Sequence, residues 1–137
     1  MSAFDDVLAA NADYSQSFTD LGLPATTGRG LAVVTCMDSR IDPLRMLGLR
    51  PGDAKILRTA GARVTDDVLR SLVLAHQLLG VERVMVLVHT DCAMATTEAE
   101  LRRDVQRVRT SPDLPDQMPV AGGSYDVRTG AVTLTVT

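Results

Sequence analysis

The stretch Leu31-Ala32-Val33-Val34-Thr35-Cys36-Met37-Asp38-Ser39-Arg40 decides how the chain is to be read. Up to Thr35 it is a short apolar run of the kind that forms a buried strand. From Cys36 onward a cysteine, an aspartate and an arginine stand at every second position. In extended chain, residues i, i+2 and i+4 share one face. If the extended geometry persists past the strand, Cys36, Asp38 and Arg40 point to one side. A thiol, a carboxylate and a guanidinium at a strand end need partners from elsewhere in the chain.

Outward from this strand, helical and extended patterns alternate. Asp42-Pro43 offers an N-cap followed by proline at the first helical position. Leu44, Met46 and Leu47 then make a short helix that Gly48 ends. Ala54–Arg58 reads as a second strand, and Thr59 to Arg63 as a loop of small residues feeding a helix. Thr65–Leu79 is the clearest helix: Val68, Leu72, Ala75 and Leu79 keep a 3.6-residue period, widened by Leu69, Val73 and His76. Asp66 and Asp67 suit its positive N-terminal end, and Gly80 its C-terminus. His76, inside this helix, is a structural or partly exposed histidine. Val84–Val88 is a continuous apolar strand that suits a parallel sheet buried on both faces. Thr97 and Glu100 form a capping box for a helix through Arg109. Leu101, Val105 and Val108 face inward. Arg102, Arg103, Arg107 and Arg109 mark a basic outer side, a solvated face or an oligomer contact. Residues 110–123 read as a loop, and Tyr125–Val127 with Val132–Val136 as a terminal hairpin.

Before the first strand, Phe4, Val7, Leu8, Asn11, Tyr14 and Phe18 recur at helical spacing. That helix packs either on the chain's own core or on a partner subunit. Residues 19–30, with Gly22, Pro24, Gly28 and Gly30, form a linker. The expected architecture is α/β: a mostly parallel central sheet flanked by helices, with a C-terminal β-hairpin, in one domain spanning residues 1–137. In such sheets ligands bind beyond the carboxyl ends of the strands. The residues just past the first and third strands are therefore the prime candidates.

Composition narrows the function classes. A net charge of −3 favours neither nucleic acid nor an anionic membrane, and 3% aromatic residues provide no stacking platform. The N-terminus shows Asp5, Asp6 and Asp13 and no basic apolar leader, and no apolar run approaches the roughly 20 residues that span a bilayer. The expected compartment is the cytoplasm, with Cys36 and Cys92 reduced, and the expected partners exclude nucleic acid and membrane.

Past the third strand comes His89-Thr90-Asp91-Cys92. If the first and third strands are neighbours, Cys36, Asp38, His89 and Cys92 converge: two sulfurs, a nitrogen and a carboxylate oxygen, a set that zinc accepts tetrahedrally. With Asp38 bound the site is closed. With Asp38 turned away a fourth position opens, and Arg40 is placed to hold it away by charge-assisted hydrogen bonds. Cysteines at strand ends can equally be inert small hydrophobes, and spacing alone leaves both readings open. Asp91 reads as a loop acid rather than a ligand, and Gly61 as a residue serving backbone geometry.

The motif Cys36-Met37-Asp38-Ser39-Arg40, followed by His89-Thr90-Asp91-Cys92, resembles the signature of the β-class carbonic anhydrases, C-x-D-S/A-R and H-x-x-C. Arg58-Thr59-Ala60-Gly61 resembles the family's R-N-A-G segment. Val64 to Leu72 and Asn11 to Tyr14 are similar to short actinobacterial-type members. The likeness covers residues 4 to about 110 and resumes at Tyr125 to Gly130. It implies Zn²⁺ held by Cys36, His89 and Cys92, with Asp38 as a further ligand when the site is closed. It further implies an Asp38–Arg40 catalytic dyad, and substrate contacts near Arg58 and Gly61. The implied activity is reversible hydration of carbon dioxide to bicarbonate by a homodimer or larger homo-oligomer, its N-terminal helices reaching across to the partner. The family also includes carbonyl sulfide and carbon disulfide hydrolases on the same metal ligands, and a non-catalytic zinc-binding member is a third reading. The chain departs from the family pattern at Ala93, where glycine is usual, at Thr59, where asparagine is usual, and in residues 110–123, which are short and lack a helix before the last strands.

Overall fold

The computed structural model describes residues 1–137. Its centre is a five-stranded sheet in the order β2-β1-β3-β4-β5. The strands are β1 (Leu31–Cys36), β2 (Ala54–Thr59), β3 (Arg83–His89), β4 (Val120–Tyr125) and β5 (Val132–Val136). The first four run parallel, and only β5 is antiparallel to its neighbour. All six residues of β1 are buried, as befits an interior strand of a sheet covered on both faces. The expected α/β architecture with a mostly parallel sheet and a C-terminal hairpin is the one observed.

Helices α3 (Asp66–Leu79) and α4 (Glu98–Arg109) cover one face. Val68, Leu72 and Ala75 of α3 and Leu101, Val105 and Val108 of α4 meet Ala32, Val34, Val84, Val86 and Val120 in the main core. The other face is smaller: Leu31, Val33 and Leu87 pack with Leu49, Leu44 and Met46, the last two from the short helix α2 (Pro43–Met46). The starts of α2, α3 and α4 are capped by their own side chains. Asp42 accepts from the Arg45 N–H, Thr65 from Val68, and Thr97 and Glu100 form the reciprocal capping box.

Strand order settles where a ligand can bind. The chain leaves β1 for β2 on one side and returns through α3 to β3 on the other. Between the carboxyl ends of β1 and β3 the connections diverge, which is the switch point at which open α/β sheets place their sites.

Three expectations need correction. Residues 110–123 are not all loop, because β4 begins at Val120 and pairs in parallel with β3. Gly122 and Gly123 resemble a strand breaker, yet close approach demands them. A Cβ at Gly122 would lie 2.9 Å from a Val105 methyl of α4, and one at Gly123 would lie 2.5 Å from the Thr133 carbonyl of β5. The arginines of α4 are not simply a solvated outer face. Arg107 donates to the Val64 carbonyl and Asp66, Arg109 to the Val120 carbonyl, and Arg102 to Glu98 and the Thr135 carbonyl. They are near enough to β4, β5 and the start of α3 to clamp them. Finally, α1 (Asp5–Ser17) buries none of its residues against this chain, so the own-core alternative for the N-terminal stripe fails. No helix is long and apolar enough to cross a membrane.

Candidate metal centre at the carboxyl ends of β1 and β3

Cys36 is the last residue of β1 and His89 the last of β3; Cys92 follows in the loop after β3. Adjacent parallel strands in register bring these ends together. One ligand atom from each of Cys36, His89 and Cys92 lies within 4.8 Å of the others, and the two sulfurs are 3.9 Å apart, unlinked. The loop after β3 is held from the hairpin side, where the Thr90 N–H donates to the Tyr125 carbonyl and Thr90 Oγ1 accepts from the Val127 N–H.

The chemistry of His89 points to a missing partner. Its Nδ1 lies 2.7 Å from the Thr90 carbonyl oxygen, which can only accept, so Nδ1 carries the proton. Nε2 then presents a lone pair. That atom is buried and has no hydrogen-bond partner. An orphaned buried lone pair costs free energy, and here it faces two cysteine sulfurs. A backbone carbonyl fixing the tautomer of a ligating histidine is the usual arrangement around metals. Burial pushes the Cys36 thiol up, but the His89 ring beside it, and after it the backbone N–H groups of Asp38 and Gly61, outweigh burial and bring it down. Burial raises the Cys92 thiol, as does its neighbour Cys36. Two sulfurs and one imidazole fit zinc in type and number, with a fourth position left over.

Asp38 is not grouped with these three. The extended chain ends at Cys36 and turns, with the Ile41 N–H donating to the Asp38 carbonyl. Asp38 and Arg40 therefore meet through a turn rather than by strand alternation. Arg40 Nε donates to Asp38 Oδ1 at 3.0 Å and Nη2 to Oδ2 at 2.7 Å, and the Arg40 N–H also reaches Oδ1 at 2.8 Å. This fork holds the Asp38 carboxyl well below the usual carboxylate range. Oδ2 stands 3.7 Å from His89 Nε2, beside the centre but engaged elsewhere.

Arg58 and Gly61 build the surroundings. Arg58 directs Nε to the Cys36 carbonyl and Nη2 to the Asp38 carbonyl, bracing the turn from β2. Gly61 has φ +70, and a Cβ there would lie 2.5 Å from the Met94 carbonyl oxygen, so the loop carrying Cys92 closes directly over it. His76 lies apart, its Nδ1 against the Val81 carbonyl. One contact was not foreseen: Arg40 also pairs with Asp91, from Nη1 to Oδ2 at 2.9 Å and from Nη2 to the backbone carbonyl at 2.7 Å. Only the acidic residue between two candidate ligands hinted at it.

Comparison with known proteins agrees with this geometry. Residues 31–115 match the sequence model of the carbonic anhydrase family. The chain is 45% identical over 107 residues to β-carbonic anhydrase 1 of Mycobacterium bovis, covering 77% of this chain and 65% of that protein. It is 41% identical over 90 residues to a carbon disulfide hydrolase of Saccharolobus solfataricus, covering 66% of this chain and 43% of that one. Among solved structures, a carbonic anhydrase from Streptococcus mutans superposes with a TM-score of 0.90 at 37% identity, over 98% of both chains. Fold and centre define an α/β protein with a Cys-His-Cys cluster at the sheet's switch point, and the chain belongs to the β-carbonic anhydrase family. It spans 65% of the length of its mycobacterial relative. The extent of the S. mutans match shows that the short connection before β4 is shared with a solved carbonic anhydrase.

Proposed function

We propose that the chain binds one zinc ion through Cys36, His89 and Cys92 and catalyses the reversible hydration of carbon dioxide to bicarbonate and a proton. The observation that carries this reading is the buried, unpartnered Nε2 of His89 facing two unlinked cysteine sulfurs. Zinc at such a centre supplies Lewis acidity and makes water a nucleophile near neutral pH.

The chain's own residues do the rest. Asp38, kept ionised by Arg40, accepts a hydrogen bond from the attacking oxygen and so aims its lone pair at the carbon. Arg40 holds the carboxylate in that pose and away from Cys36, His89 and Cys92, which would hold the zinc; an inward swing of Asp38 would add a carboxylate oxygen to that set. Ile41, Ala62 and Val88 pack around Cys36 and give the centre an apolar side suited to an uncharged gas. Arg58 and Gly61 act by shaping the walls. Reduced thiols fit a cytoplasmic setting. The bare apolar stripe of α1 supports a homodimer or larger homo-oligomer in which a second copy covers it.

The test is stopped-flow carbon dioxide hydration by zinc-loaded protein, with metal content measured on the same sample. Hydration far above background supports the reading; full zinc with background hydration would overturn it. The carbon disulfide hydrolases among the relatives favour a second reading on the same centre. Sulfide release from carbon disulfide or carbonyl sulfide, with carbon dioxide hydration at background, would select it.

A further inference from the structure

Asp91 lies between two candidate ligands yet is not itself grouped with them. It is a non-glycine residue at φ +51, a left-handed conformation that L side chains adopt at a cost. That conformation lets one residue present both its carboxylate and its carbonyl to the same guanidinium, 2.9 Å from Nη1 and 2.7 Å from Nη2. Arg40 is half-exposed, so packing does not immobilise it, and a free arginine side chain has many rotamers to lose. Its pairing with Asp38 is local, within one turn, and the two side chains can move together. Asp91 ties that pair to the loop after β3, which also carries Cys92.

We propose that Asp91 is a positioning residue for Arg40: it anchors the guanidinium from the ligand loop, so that Arg40 keeps Asp38 off the metal and the fourth position stays open. The proposal rests on the zinc reading above. With Oδ2 of Asp38 only 3.7 Å from His89 Nε2, a small swing brings the carboxylate to the centre, and what prevents it is the placement of Arg40. Loss of the Asp91 side chain leaves Arg40 with the carbonyl as its single contact to that loop and frees the dyad to follow Asp38 inward.

The experiment uses the full chain loaded with cobalt(II), whose visible absorption reports the fourth ligand, titrated with azide as a probe of an open position. Asp91→Gly removes the side chain while glycine keeps the left-handed backbone and its carbonyl contact. Azide affinity is expected to fall roughly tenfold, the scale of one charge-assisted hydrogen bond, with a shifted cobalt spectrum before azide is added. Asp91→Asn, which tolerates the same backbone and still offers an oxygen, should retain most of the affinity. The double variant Asp91→Gly with Asp38→Ala should bind azide again, because the carboxylate that closes the site is gone. Unchanged affinity in Asp91→Gly would overturn the proposal. So would a loss that persists in the double variant, which would mark Asp91 as merely structural. Wild-type protein that takes up no cobalt would overturn the zinc reading, and this inference with it.

Discussion

Asp38 shows how one residue's role depends on its neighbours. Its carboxylate accepts from Arg40 through both oxygens, the Arg40 backbone N–H included, which keeps it ionised and engaged beside His89. Asp38→Ala should therefore retain zinc while losing about two to three orders of magnitude in hydration rate, the scale of removing one preorganised hydrogen bond at the reacting atoms; stopped-flow turnover at the wild-type level would refute the assignment. Cys92→Ser replaces a thiolate with a hydroxyl that stays protonated at neutral pH, so zinc per chain should drop sharply when measured by elemental analysis. The motif made Cys36, Asp38, His89 and Cys92 legible as candidates, because their spacing is local to two strand ends. The Arg40–Asp91 pair was not legible, since it joins residues 51 positions apart whose meeting depends on the turn after Cys36 and the left-handed backbone at Asp91. Arg58, expected near the substrate, directs Nε and Nη2 to the Cys36 and Asp38 carbonyls.

Elements position the centre through close backbone approach. Gly61, just after β2, has the Met94 carbonyl where a Cβ would go, at φ +70. Gly61→Ala should cost about 2–4 kcal/mol, combining left-handed strain with overpacking, seen as a lowered Tm. An unchanged Tm would mean that the ligand loop can withdraw freely. The start of α4 gives a pH prediction. The Glu100 carboxyl is lowered first by the Thr97 N–H, then by the Thr97 hydroxyl, with Arg63 adding to it. A carboxylate depressed in the folded state stabilises above its unfolded pKa and loses that contribution as pH falls through the folded value. The Tm difference between wild type and Glu100→Gln should therefore be present at pH 7 and close as pH drops below about 4.3; a gap that widens on acidification would contradict it. Helices α3 and α4 were readable because caps and periodicity coincide in each. β4 was not, because glycines that signal a breaker in sequence serve close packing against α4 and β5 in space.

The whole molecule is a covered sheet with an uncovered arm. Phe4, Val7, Leu8, Tyr14 and Phe18 all stand exposed on or beside α1. A sequence stripe tells which face is apolar and not what covers it, which is why the own-core reading was open although α1 buries nothing on this chain. If a second copy covers it, light scattering should show a dimer or larger assembly, and removal of residues 1–18 should shift the protein toward monomer. A full-length chain that is monomeric at micromolar concentration would contradict this. The sheet order places Cys36 and His89 side by side at the switch point, and the account stands on what those ends hold. X-ray absorption at the zinc edge of the purified protein tests that most directly. It should show two sulfur scatterers at about 2.3 Å and a nitrogen and an oxygen near 2.0–2.1 Å. A zinc shell without sulfur, or no zinc at all, would contradict the account.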